Sequence, residues 1–323
     1  MTISEFSIID RHFKSRILNR ADVALGIGDD AAITSVPDGM QLVSAMDTLV
    51  SGVHFPADTS PHAIGHKALA VNLSDLAAMG AEPAWATLAL TMPQADESWL
   101  KDFCDGFFQL AELYNVQLIG GDTTQGPLTV TVQVCGFVPT GEALLRSGAK
   151  AGDLIYVSGS LGDAALALDW LQNNAQQKIT DEIRQKIKRL EYPVPRLELG
   201  MELRSVATAA IDISDGLAAD LSHILDASGA GATIFQEKIP CDFGTPMFST
   251  DKTLNCALYG GDDYEICFTA AENSRNTIDT IAQQLNLVVT EIGIVEQQRN
   301  IRLSVKGVCT DLSVLGYEHF SKS

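Results

Sequence analysis

The sequence predicts an α+β or mixed α/β protein of two domains. Three observations lead there. Short apolar runs of β type alternate with segments of helical periodicity along the whole chain. Its 323 residues, 46% of them apolar, can bury a sizeable core, and that length suggests about two domains. A small, polar, glycine-rich stretch, residues 147–153, divides the chain into parts of similar length, and a fresh strand follows it at once. We therefore expect one domain over residues 1–147 and a second over 148–323.

In chain order, a helical pattern occupies Glu5 to Leu18, and Gln41 to Met46 reads as a strand. A helix over Pro61 to Met79 precedes a strand at Trp85 to Thr91, and a helix over Glu97 to Tyr114 precedes strands at Val116 to Ile119 and Leu128 to Val138. Past the divide come a strand at Leu154 to Val157, a helix over Asp181 to Leu190, a strand at Thr208 to Ile213 and a helix over Asp215 to Ser228. Strands at Tyr264 to Thr269 and Leu287 to Ile292 flank a helix over Ser274 to Leu285. No strict repeat and no low-complexity stretch interrupts this order.

Composition excludes some functions. Lys plus Arg number 22 against 41 Asp plus Glu, a net charge of −19. Such a chain repels nucleic acid and anionic lipid unless it carries a local basic face. None is visible; the mixed run Asp181 to Arg189 reads as a solvated helix face. The six cysteines form no CxxC pair and sit mostly in apolar runs, so they read as reduced, buried thiols of a cytoplasmic protein. The N-terminus lacks the pattern of a signal peptide, and no apolar run approaches the ~20 residues that span a bilayer.

Acidic residues recur in six groups: Asp29-Asp30, Asp47, Asp75, Asp122, Asp212 with Asp215, and Asp262-Asp263. Most follow glycine or end a strand, and Gly-Asp pairs are ordinary turn formers. Two are harder to explain that way. Helical spacing puts Asp75 on a face with Ile64, Ala68, Val71 and Ala78, where a charge needs a partner: a metal ion, or a hydrogen bond at a helix kink. Strand alternation puts Asp212 and Ser214 on the face opposite Ile211 and Ile213. Asp215 then opens a helix, where capping is its ordinary role. Strand, acid, hydroxyl and helix start together suit a cation and a phosphate. Magnesium takes oxygen ligands from carboxylates, waters and substrate phosphates, and phosphoryl transfer needs mainly positioning and charge neutralisation.

Other signatures are absent or misleading. There is no GxxxxGK[ST] loop, HExxH, GxSxG or EF-hand loop, and the six histidines show no ligand spacing. Gly26-Ile27-Gly28-Asp29-Asp30-Ala31 matches GxGxxA, but two aspartates would face the pyrophosphate and no long helix follows. Gly159-Ser160-Leu161-Gly162-Asp163 follows a strand and reads as a turn opening a helix, with phosphate contact as the other reading.

Taken together, these segments resemble the thiamine-monophosphate kinase family of the aminoimidazole-ribonucleotide-synthetase-like superfamily, over nearly the whole chain. The ordered set is Glu5 to Ile9, Gly26 to Asp30, Asp47 to Val50, His54-Phe55, Lys67 to Asp75, Leu118 to Asp122, Asp212 to Leu217, Gly260 to Glu265 and Gly316 to Phe320. The resemblance implies a PurM-like architecture. Its N-terminal domain binds ATP and magnesium and forms the β-barrel-like core of a homodimer; its C-terminal α/β domain closes over the nucleotide and substrate. It implies ATP-dependent phosphorylation of thiamine monophosphate to thiamine diphosphate with several Mg2+ ions. By position, Asp30, Asp47, Asp75, Asp122, Asp212 and Asp215 are the implied metal ligands. Tyr114, Gly121, Asp122, Arg146 and Ser214 are the implied ATP contacts, and His54, Asp262 and Tyr317 the implied substrate contacts.

Two departures stand out. The family usually has hydroxyl residues where this chain has Ala45-Met46, and Glu where it has Asp262. The acceptor oxygen belongs to a phosphate monoester, whose second pKa lies near ~6, so no side chain is required as an essential general base. The rivals are selenophosphate synthetases, which carry an early reactive Cys, and hydrogenase-maturation relatives, which end in a Cys tail. Aminoimidazole ribonucleotide synthetase and a non-catalytic nucleotide- or cation-binding protein complete them.

Overall fold

The computed structural model describes residues 5–16, 18–174, 176–242, 247–317 and 319. The extreme N-terminus, Ile17 in the first expected helix, and Glu318 and Phe320 of the C-terminal motif lie outside the described residues. The chain forms two compact units, Met1–Leu76 with Ala81–Gly141, and Ala77–Gly80 with Glu142–Ser323. The division falls between Gly141 and Glu142, upstream of the glycine-rich stretch at 147–153.

The first unit opens with α1 (Glu5–Ile8), which runs on as a π-helical segment, Ile9–Phe13, and a 3-10 turn, Lys14–Arg16, rather than as one α-helix. A two-stranded ribbon follows, β1 (Val23–Leu25) with β2 (Ile33–Thr34). The main sheet is built from β3 (Met40–Val50), β4 (Glu82–Met92), β5 (Gln117–Gln125) and β6 (Thr129–Pro139), in the order β3-β6-β4-β5. Helices α2 (Pro61–Ala78) and α3 (Glu97–Leu113) share the core with the strands, supplying Leu69, Leu73, Leu76, Leu100, Phe103 and Phe107. Asp96 caps α3 by accepting from the Ser98 and Trp99 amides. The two helices touch through glycine: a Cβ on Gly65 would lie 2.1 Å from the Phe103 carbonyl oxygen, and one on Gly106 would lie 1.9 Å from that of His62. α2 is therefore buried almost all round, and its apolar positions form no single stripe. From Leu42 onward the side chains of β3 alternate, Leu42, Ser44, Met46 and Thr48 being exposed and Val43, Ala45, Asp47 and Leu49 less so.

The second unit holds a seven-stranded sheet of order β13-β12-β9-β11-β7-β10-β8. Its strands are β7 (Leu154–Ser158), β8 (Ala207–Asp212), β9 (Gly231–Phe235), β10 (Ile266–Ala270), β11 (Val289–Glu296), β12 (Ile301–Val305) and β13 (Val308–Asp311). All pairings are antiparallel except β9 with β12. The helices are α4 (Asp163–Asn173), α5 (Asp181–Glu191), α6 (Leu197–Glu202), α7 (Leu217–Ser228), α8 (Thr250–Tyr259) and α9 (Arg275–Gln284). One large apolar cluster unites Ile155, Val157, Ile211, Ile213, Leu217, Leu221, Ile224 and Ile234. β9, β12, β13, α6 and α8 exceed the sequence reading. The cysteines are free, as expected, but only Cys104 and Cys267 are buried, and Cys309 is exposed.

Candidate functional site

In the first unit the glycine-acid segments meet. Asp29, Asp30, Gly121 and Asp122 line one cavity of about 570 Å³ with Lys14 and the apolar walls Ile27 and Leu118. The Asp29 carboxylate accepts the Asp30 amide at 2.9 Å, and that of Asp122 accepts the Thr123 amide at 2.9 Å. Gly121 is required here: a Cβ would lie 1.9 Å from the Leu88 carbonyl oxygen. Tyr114 is the C-cap residue of α3 and does not line this cavity.

Asp47 and Asp122 sit inside strands, not at strand ends as the sequence suggested. Pairing places Asp47 opposite Val132, and Val132 opposite Leu88, which in turn faces Gly121; Thr48, Thr131, Ala89 and Asp122 make the next row. Three strand spacings therefore separate Asp47 from Asp122, about 14 Å. Asp47 belongs instead with α2, where its amide donates to Asn72 Oδ1 at 2.9 Å. Asn72 is fully buried and its own amide donates to the Ala68 carbonyl at 2.9 Å, so it ties β3 to the helix that carries Asp75. Asp75 is half-buried and has an interaction partner. Thr48, next to Ala45-Met46, points to the sheet face opposite Asp47, and its hydroxyl pairs with that of Thr131 at 2.9 Å.

His54 follows β3 in a short loop. Its Nδ1 accepts the Val50 amide at 2.9 Å, and the buried Lys67 ammonium donates to its carbonyl at 3.3 Å. A backbone N–H only donates, so the neutral ring carries its proton on Nε2.

In the second unit the strand-end acids come together. The turn after β8 pairs with the segment before β10: the Asp262 amide donates to the Ser214 carbonyl at 2.9 Å, and the Tyr264 amide to that of Ile213 at 2.8 Å. Asp212 is buried, while Ser214, Asp215 and Asp262 are half-buried. The Tyr317 amide donates to the Asp215 carbonyl at 3.3 Å, which brings Tyr317 against the turn. Arg146 is exposed on the segment before β7, and its carbonyl accepts from Ser228. Burial raises the carboxyl pKa of Asp215; the charges of His223 and His319 oppose this, and that of Asp262 adds to it.

Asp215 does not cap α7, which starts at Leu217 without a side-chain cap. Asp220 holds the turn instead, its Oδ2 accepting the amides of Ser214, Asp215 and Gly216 at 3.0, 3.0 and 3.2 Å. Burial pushes its carboxyl up to about 7, with the Asp212 and Asp215 charges adding to that rise. Sequence reasoning missed Asp220, although an acid in the first turn of a helix was a visible signal.

The segment before β10 is held from below. Glu265, 1% exposed, accepts from Ser158 Oγ at 2.6 Å, Arg189 Nη2 at 3.0 Å, Arg196 Nε at 2.7 Å and Arg196 Nη2 at 2.6 Å. The buried Asp263 accepts the Gly162 amide at 2.8 Å, and burial raises its pKa well above the ordinary carboxylate value. Above them the Tyr264 hydroxyl donates to Asp262 Oδ1 at 3.1 Å.

Among the described residues no group of three or more His, Cys, Asp or Glu side chains is arranged to hold a metal ion. The donors nevertheless suit a hard cation. They are carboxylate oxygens, and mutual repulsion contributes to the raised pKa of Asp215 and Asp220.

Both halves of this arrangement match one class of protein. Residues 28–138 match the N-terminal domain of AIR synthase related proteins, and residues 150–306 match their C-terminal domain. Thiamine-monophosphate kinase of Escherichia coli (strain K12) is 46% identical over 329 residues, covering 99% of each chain. The crystal structure of thiamine-monophosphate kinase from Stenotrophomonas maltophilia K279a superposes with a TM-score of 0.87 at 47% identity, covering 94% of this chain and 97% of that one. AaThiL complexed with AMPPCP and TMP superposes with a TM-score of 0.79 at 30% identity, covering 98% and 97%. The chain belongs to the thiamine-monophosphate kinase family.

Proposed function

We propose that this chain transfers the terminal phosphoryl group of ATP to the phosphate of thiamine monophosphate, yielding thiamine diphosphate and ADP. The observation that carries the reading is identity of 46% to a thiamine-monophosphate kinase over the full length. AaThiL, solved with AMPPCP and TMP together, supports the pairing of donor and acceptor.

Asp30, Asp47, Asp75, Asp122, Asp212 and Asp215 would hold Mg2+, which when bound neutralises charge on the polyphosphate. Tyr114, Gly121, Asp122, Arg146 and Ser214 contact ATP. His54, Asp262 and Tyr317 contact thiamine monophosphate, His54 as an Nε2–H donor. The acceptor phosphate is already deprotonated at neutral pH, so the residues bind and align and none acts as an essential base. Thr48 lies on the face of Met46, opposite that of Ala45 and Asp47, so it does not replace a hydroxyl lost at Ala45.

The protein works in the cytoplasm as a homodimer joined through the open face of the β3-β6-β4-β5 sheet. Leu42 and Met46, 48% and 63% exposed on that face, support the contact. The deciding experiment is the product spectrum of purified protein with ATP, Mg2+ and thiamine monophosphate. We expect stoichiometric ADP and thiamine diphosphate; nucleotide binding without turnover would refute the reading.

A further inference from the structure

A helix start with free amides attracts anions. The turn before α7 has the sequence of such a site, but its donors are spent. The amides of Ser214, Asp215 and Gly216 all end on one oxygen, Asp220 Oδ2, at 3.0, 3.0 and 3.2 Å. Asp220 is 3% exposed, so water does not compete for that oxygen. The acceptors are spent as well: the Ser214 carbonyl takes the Asp262 amide and the Asp215 carbonyl the Tyr317 amide. The side chains that the turn itself presents are those of Ser214 and Asp215, both half-buried, and Asp215 is an acid.

We propose that Asp220 is a positioning residue that sets the sign of this turn, converting a helix start built like an anion site into one that presents carboxylates to a cation. It does so in two ways. It occupies the three amides that would otherwise take a phosphate directly, and its buried carboxyl stands behind Asp212 and Asp215, where a bound cation holds it ionised. A phosphate then meets this turn through a cation or through the Ser214 hydroxyl, not through the backbone amides. This extends the kinase reading in its kinetic consequence, while the exchange of anion for cation preference stands on the hydrogen bonds alone.

The test uses the full chain and two variants. Asp220→Asn keeps the shape and one acceptor but removes the charge; Asp220→Ala also frees the three amides. In thiamine diphosphate formation we expect the Mg2+ concentration for half-maximal rate to rise about tenfold or more in Asp220→Asn, the scale set by losing one charge near a partly buried cation. The rate at saturating Mg2+ should largely recover. Calorimetric titration with Mg2+ alone should show the same weakening, and it reads the effect even if the wild-type protein makes no thiamine diphosphate. In metal-free buffer, inorganic phosphate should raise the melting temperature of Asp220→Ala and leave the wild type unmoved. Unchanged Mg2+ dependence in Asp220→Asn, or a rate loss that saturating Mg2+ does not restore, overturns the proposal. If Asp220→Ala does not fold, the Asp220→Asn titrations decide alone.

Discussion

Replacing Arg196 with alanine tests whether the Asp262 segment depends on the buried charge beneath it. Glu265 is 1% exposed and has four donors, two of them from Arg196 at 2.7 and 2.6 Å. Breaking a buried ion pair by removing one partner costs about 3–5 kcal/mol. Two facts lower that figure. The Arg196 side chain is 19% exposed, and Arg189 stays within 3.0 Å of the same carboxylate. We expect a loss of about 2–3 kcal/mol in the unfolding of the second unit, since half the donors and one of two cations go. Urea denaturation followed by circular dichroism measures it. The exposed pair Arg11–Glu97, whose side chains are 65% and 50% exposed, is the control, and breaking it should cost under ~1 kcal/mol. Glu265→Gln is the partner variant, and the double variant should lose less than the sum of the singles by about 1 kcal/mol or more. Asp262 lies three residues before Glu265, so the KM for thiamine monophosphate should rise with the instability. A loss under ~1 kcal/mol for Arg196→Ala, or strict additivity, would refute the reasoning.

Tyr264→Phe removes the 3.1 Å bond to Asp262, worth about 1 kcal/mol for a half-buried carboxylate; KM for thiamine monophosphate should rise about fivefold with kcat unchanged, and a kcat loss at constant KM would contradict the placement. Asp263 has its pKa raised by burial, so the folded state binds this proton more tightly than the unfolded chain. Its contribution favours folding below the unfolded carboxylate pKa near ~4 and is lost as pH rises through the folded value, so Asp263→Asn should flatten the decline of stability above pH ~4 by up to ~1.4 kcal/mol per pH unit. Burial pushes the Cys104 thiol up to about 12. Alkylation of the native protein at pH 8, read by mass spectrometry, should therefore modify exposed Cys309 first and Cys104 only after denaturation.

How much of this was legible in the sequence depended on whether the signal was local. α2 and α3 were readable almost to the residue, because helices of 18 and 17 residues are carried by local sequence. β3 runs past its expected end at Met46 to Val50, which hid that Asp47 lies within the strand; its pairing with β6 decides that, not its own composition. The β12–β13 hairpin was missed because its residues are half exposed and show no apolar run. β8 ends at Asp212, so the alternation that set Asp212 and Ser214 against Ile211 and Ile213 reaches no further than Asp212. The support of the site was not legible. Glu265 draws on Ser158, Arg189 and Arg196, which lie 107, 76 and 69 residues away in sequence, beyond any spacing rule.

The carboxylates of this chain thus do two opposite jobs, and their donors separate them. Glu265 is buried and receives the Ser158 hydroxyl and the Arg189 and Arg196 N–H groups, so its charge is answered from within the fold. Asp30 and Asp122 line an open cavity, where the fold supplies few donors and leaves the negative charge facing outward. A charge answered inside the fold costs stability when neutralised, because its partners are left buried and unpaired. A charge facing a cavity costs little, because neutralising it removes repulsion and strands no donor. Amide substitution across the acids should therefore split them cleanly: loss of stability at Glu265 with activity falling only as the fold loosens, and loss of activity at Asp30 and Asp122 with stability held or raised. The Asp220 variants should fall between the two groups, since that carboxylate belongs to the fold by its hydrogen bonds and to the site by its charge.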